Sequence, residues 1–144
     1  MSLAFSLRCI PPKSTHQQNV RIFQGKGGKR FIGKSKTNKA AQAEASLMTL
    51  LQPHAPLTPM QGALRLSVRW VYPYRKSEPK KNRLADIPCD TRPDCDNLTK
   101  GLCDVMTTLG FWQDDSQVAQ LHFTKWWGET PGIEITVGGI SIKA

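Results

Sequence analysis

Leu3, Phe5, Leu7 and Cys9 alternate with small or polar residues up to Pro11-Pro12, the two-residue period of a half-buried strand. Residues 20–23 and 29–32 flank Gln24-Gly25-Lys26-Gly27-Gly28, where glycines can supply the positive φ angles of a hairpin turn. A helix follows, capped by Thr37 or Asn38 and stopped by Pro53, with Ala40, Ala43, Leu47, Leu50 and Leu51 on its apolar face. Leu64, Leu66, Val68, Trp70 and Tyr72 then alternate with Arg65, Ser67, Arg69 and Val71, the clearest strand in the chain. Residues 74–93 follow neither period and are expected to form a long loop. A second helix starts at Asp94 or Asp96, shows Leu98, Leu102, Val105 and Leu109 on one face, and stops at Gly110. Two short strands complete the chain, one marked by Ala119, Leu121 and Phe123 and the other by Ile133, Ile135 and Val137.

At 144 residues the chain suits one domain with its own core. No apolar stretch approaches the roughly 20 residues of a membrane-spanning helix, so the expectation is a soluble, cytoplasmic protein without a membrane partner. Charge sharpens the picture through its distribution. The net charge is +9, and Arg8, Lys13, Arg21, Lys26, Lys29, Arg30, Lys34, Lys36 and Lys39 all precede the first acid, Glu44. An uncompensated basic half is the electrostatic footprint of a phosphate-binding surface. Lys26, Lys29 and Arg30 at the hairpin tip, and Arg75, Lys76, Lys80, Lys81 and Arg83 in the loop, are the candidate DNA contacts. The run Gly25-Lys26-Gly27-Gly28-Lys29-Arg30 lacks the spacing and the Ser or Thr of a P-loop. Cys89, Cys95 and Cys103 are spaced unlike a zinc knuckle and read as apolar thiols.

The acids cluster late: seven Asp and no Glu lie between residues 86 and 115. Carboxylates beside a phosphate repel it unless a cation stands between them, and a hard divalent cation needs only one or two carboxylates, with water and phosphate oxygens completing its shell. Asp94 and Asp96 sit at a helix mouth, where free N–H groups and the dipole favour anions. Lys100 and Asp104 follow at one-turn intervals, so an ordinary cap with an Asp-Lys-Asp surface ladder explains the same residues. Asp115 tips the balance. The helix from Asp96 to Leu109 is roughly 20 Å long at about 1.5 Å per residue. Six extended steps of about 3.3 Å cover the same distance back. A reversal at Gly110 can thus bring Asp115 beside Asp94 and Asp96, within one subunit or across two.

Arg92-Pro93-Asp94-Cys95-Asp96-Asn97-Leu98, Lys100, Asp104, and the run Gly110-Phe111-Trp112-Gln113-Asp114-Asp115-Ser116-Gln117-Val118 keep the order and spacing of a known signature. The chain here resembles the RusA family of Holliday junction resolvases. That resemblance implies a single α+β domain over residues 1–144, with a mixed or antiparallel sheet and two main helices. It also implies a homodimer that cuts two strands of a four-way DNA junction symmetrically, with Mg²⁺ as cofactor and Mn²⁺ as a substitute. By matching position, Asp94, Asp96 and Asp115 become the catalytic and metal-site carboxylates, Lys100 the cation facing the phosphate, and Asp114 an accessory. The competing class is a non-catalytic basic module that binds DNA or RNA.

Overall fold

The computed structural model describes residues 1–13, 18–36 and 38–141. Its centre is β4 (Leu64–Pro73), the strand with the strictest alternation, whose Leu64, Leu66, Val68, Trp70 and Tyr72 are buried on one face. β7 (Gly132–Gly139) pairs antiparallel with it, setting Val137, Ile135 and Ile133 opposite Leu66, Val68 and Trp70. Paired residues share a face, so the two apolar rows form one floor. β1 (Ser2–Leu7) extends this sheet antiparallel to β7, while β6 (Val118–Gly128) pairs with the other side of β4 and β5 (Ile87–Pro88) with β6, so the order is β1-β7-β4-β6-β5. The expected hairpin forms a separate two-stranded sheet of β2 (Gln18–Gln24) and β3 (Arg30–Lys36), turned through Gly27 and Gly28 at φ 80°.

Two helices cover the floor. α1 (Asn38–Leu51) buries Ala40, Leu47 and Leu51, much of its expected face, while the alternative cap Thr37 lies outside the described residues. α2 (Cys95–Thr108) buries Leu98, Leu102, Val105 and Met106. It lies between β4 and β6 (Val118–Gly128), which run parallel. Parallel neighbours cannot be joined by a tight turn, so the chain must cross over, and α2 is the crossover. Among the described residues the result is an α+β domain with a five-stranded mixed sheet, the small hairpin sheet and two α-helices.

Two expectations need correction. β6 and β7 are longer than short extended segments, and Ala119 does not share the inward row with Leu121 and Phe123. The pairing with β4 jumps from Leu64↔Val118 to Arg65↔Gln120, leaving Ala119 as the extra residue of a bulge. Residues 74–93 are also not structureless. β5 (Ile87–Pro88) joins the sheet beside β6, Tyr74 donates its hydroxyl hydrogen to the Ala85 carbonyl (2.6 Å), and Arg83 donates to the carbonyls of Glu78 and Arg75 (both 3.1 Å). Side chains here supply hydrogen bonds that a periodic pattern would have taken from the backbone.

α2 ends in a Schellman turn. Gly110 takes φ 81°, its N–H donates to the Thr107 carbonyl (3.1 Å), and that of Phe111 donates to Met106 (3.0 Å). Phe111 and Trp112 then enter the core, and the Trp112 indole N–H donates to the Thr107 hydroxyl (2.7 Å). A Cβ at Gly110 would meet nothing within 4 Å, so Gly110→Ala carries only the conformational cost of positive φ. We expect a loss of about 1 kcal/mol or more in denaturant unfolding. Leu102 is fully buried on the face of α2 that meets the sheet, and Leu102→Ala should cost about 2–5 kcal/mol in the same measurement.

Candidate active site

Asp94 is the N-cap residue of α2, with extended backbone, and its carbonyl accepts the first helical hydrogen bond from Leu98 (3.0 Å). Its carboxylate makes no capping bond, so the usual employment of an N-cap Asp is unused. Asp96 stands in the first turn and Lys100 one turn on, both exposed. Among the described residues neither forms a salt bridge, so the structure does not realise an Asp96–Lys100 ladder.

After the reversal at Gly110, residues 113–117 curl into a capped turn. Asp114 accepts a hydrogen bond from the Ser116 N–H (2.8 Å), opening a one-turn 3-10 helix Asp115–Gln117. That bond, followed by those of the Ser116 and Asp115 side chains, holds the Asp114 carboxyl below its ordinary range. Asp114 is thus a turn-forming residue. Gln117, which sequence reasoning quoted only as part of the signature, fixes this turn. Its amide oxygen accepts from the N–H groups of Gln113 (2.9 Å) and Asp114 (3.1 Å). Its amide nitrogen donates to the carbonyls of Met60 (3.0 Å) and Gly62 (3.1 Å). A primary amide has two donor hydrogens and two acceptor lone pairs, and all four are used.

The turn delivers Asp115 to the middle of α2. Burial first, then the carboxylates of Asp115 and Asp104, push the Cys103 thiol up to about 11. Asp96, Thr99, Lys100, Cys103, Asp115, Val118 and Leu121 line one open cavity of about 320 Å³ between α2 and the start of β6. Leu121, on the inward row of β6, is 49% exposed there. A second cleft on the other side of Asp115 is lined by Asp104, Thr107, Thr108, Gln113 and Asp114.

The structure therefore brings together Asp96, Lys100 and Asp115, while Asp94 does not line their cavity. Among the described residues no three His, Cys, Asp or Glu side chains stand close enough to hold a metal ion together. The donor set still suits a hard cation. Asp96 and Asp115 offer exposed carboxylate oxygens on one cavity, and one or two carboxylates are the usual protein share of a Mg²⁺ shell.

The candidate DNA contacts divide. Lys26, Lys29 and Arg30 at the hairpin tip are exposed, as are Lys76, Lys80 and Lys81. Arg75 is engaged within the protein by Glu78 (3.0 Å) and by the Trp127 ring, 4.2 Å from its guanidinium. Arg83 holds its loop together and lies 5.6 Å from the Tyr74 ring. On the outer face of the sheet Arg65 donates to Gln120 (2.6 Å), and Arg69 pairs with Asp86 and Glu134 beside Trp126. Trp127 is buried, His54 stacks on Phe5 at 4.3 Å, and His122 is exposed; His16 lies outside the described residues.

The family model described as Endodeoxyribonuclease RusA matches residues 10–138. The chain is 33% identical over 94 residues to "Uncharacterized protein YqaN" of Bacillus subtilis (strain 168), a match covering 61% of this chain and 66% of that protein. It is 34% identical over 125 residues to the crossover junction endodeoxyribonuclease rusA of Lactococcus phage r1t, covering 85% of this chain and 88% of the relative. The protein of the same name from Enterobacteria phage HK97 is 31% identical over 70 residues, 49% of this chain and 53% of the relative. Thus the chain spans just under two thirds of YqaN and about half of the HK97 protein, but most of the r1t protein. With its signature residues set around α2 and its sequence matched over nearly its whole length, the chain belongs to the RusA endodeoxyribonuclease family.

Proposed function

We propose that this protein is a Mg²⁺-dependent endonuclease that resolves four-way DNA junctions as a homodimer, by paired symmetric phosphodiester cleavage. One observation carries the reading: Asp96, Asp115 and Lys100 open onto a single cavity in a chain of this family. In it Asp96 and Asp115 would hold the cation, and Asp94, at the helix mouth two residues from Asp96, would be the third carboxylate of the site. Mn²⁺ is the natural substitute. A bound divalent ion supplies charge neutralisation at the phosphate, a more acidic water and support for the leaving oxygen. Lys100 contributes a fixed positive charge for the oxygens of the scissile phosphate. The exposed Leu121 keeps one wall of the cavity apolar, and the exposed lysines of the hairpin tip and the 74–93 segment would draw the duplex arms onto the surface. A two-fold dimer sets two such cavities against two equivalent junction strands.

The test is cleavage of synthetic four-way junctions with Mg²⁺. The wild-type protein should cut two strands of like polarity. Asp96→Asn and Asp115→Asn should each lower the single-turnover rate by at least about 100-fold, and Lys100→Ala by about 100- to 1,000-fold, with junction binding in chelator retained. No cleavage across several junction sequences would leave a non-catalytic nucleic-acid-binding module.

Salt dependence separates the two classes of basic residue. Replacing Lys80 and Lys81 by Ala should flatten the plot of log affinity against log salt by roughly one unit for each phosphate no longer neutralised. Arg75→Ala removes an internal ion pair and the stacking on Trp127, so it should lower the melting temperature while leaving the slope unchanged.

A further inference from the structure

Lys125 breaks the inward row of β6. Leu121, Phe123 and Trp127 face the helices, and Lys125 stands among them, opposite the fully buried Trp70 of β4. A lysine at such a position loses hydration unless its ammonium finds acceptors. The ones it finds are the carbonyls of Thr91 (2.5 Å) and Pro93 (2.6 Å). Its own carbonyl accepts the N–H of Cys89 (3.0 Å). One residue thus grips 89, 91 and 93, alternate positions of the segment that leads into Asp94. Pro93 has no N–H, so a hydrogen bond can hold its backbone only through its carbonyl.

The grip matters because of what Asp94 does not do. An Asp at an N-cap normally turns its carboxylate onto the N–H groups of the second and third helical residues, here Asp96 and Asn97. Asp94 makes no such bond. We propose that Lys125 is a positioning residue: by holding the Thr91 and Pro93 carbonyls, it keeps the Asp94 carboxylate off the helix N-terminus and available to the nuclease site. This rests on the reading of Asp94 as a member of that site.

The test compares wild type, Lys125→Met and Lys125→Arg by amide hydrogen exchange without metal, together with junction cleavage. In Lys125→Met, the Cys89 amide, which donates to the Lys125 carbonyl, should exchange at least about tenfold faster as the segment it belongs to is released. The Asn97 amide should slow, as Asp94 collapses into a cap. Cleavage should fall at least about tenfold at fixed Mg²⁺, while junction binding in chelator is kept and Lys125→Arg recovers most of both readouts. Unchanged exchange at both Cys89 and Asn97, or faster exchange spread evenly over β4 and β6, overturns the proposal. So does wild-type cleavage by Lys125→Met. Should Lys125→Met fail to fold, the wild-type ammonium decides: slowly exchanging Nζ protons coupled to two carbonyls support the clamp, and fast exchange refutes it. A wild-type protein that cuts no junction defeats the proposed function, and the exchange pattern still judges the clamp.

Discussion

The reversal of the chain at the end of α2 is the constraint on which the rest depends. Once α2 serves as the crossover between parallel β4 and β6, its last carbonyls must be satisfied and the chain must turn back toward the sheet. Gly110 does both by adopting the left-handed conformation, and Phe111 and Trp112 fasten the turn by filling the core. Trp112 also bridges to Met60, and the Met60 N–H donates to the Phe111 carbonyl (2.8 Å), so the reversal is tied to the connector that starts β4. Asp115 takes its position from these attachments, not from its own short side chain.

A division of labour among the polar groups follows. Asp114 and the Gln117 amide spend their hydrogen bonds on the fold, and so does Lys125, whereas Asp96, Lys100 and Asp115 stay exposed around one cavity. All three are exposed, so water meets their charges, and their grouping on one cavity is what the proposed cation and phosphate would use. The basic residues split in the same way. Arg69, Arg75 and Arg83 brace the sheet and the 74–93 segment through carboxylates, carbonyls and rings, and the exposed lysines are left for an anionic partner.

Elements with a strict period were legible in the sequence. The alternation through Tyr72 marked β4, the Gly27–Gly28 pair marked the hairpin turn, and Gly110 marked the end of α2, because each is a local requirement of backbone geometry. Tertiary choices were not. The Ala119 bulge is set by pairing with β4, and the order within residues 74–93 comes from side chains reaching across the loop. The convergence of Asp115 with Asp96 and Lys100 was legible from matched lengths, but an extended return overshoots. Phe111 and Trp112 dive into the core and residues 115–117 coil, so Asp115 meets the middle of α2 in a cavity that Asp94 does not line. The Gln117 clamp left no periodic trace. Lys125 did leave a signal, as the charged residue in the inward row of β6 between Phe123 and Trp127.

The central claim is that Asp96 and Asp115 serve one cation. A double-mutant cycle on Mn²⁺ binding, followed by electron paramagnetic resonance with wild type, Asp96→Asn, Asp115→Asn and the double variant, addresses it most directly. A shared ion predicts that either single substitution removes most of the binding and the second adds little. Losses that simply add, or Mn²⁺ binding untouched by either substitution, would contradict it.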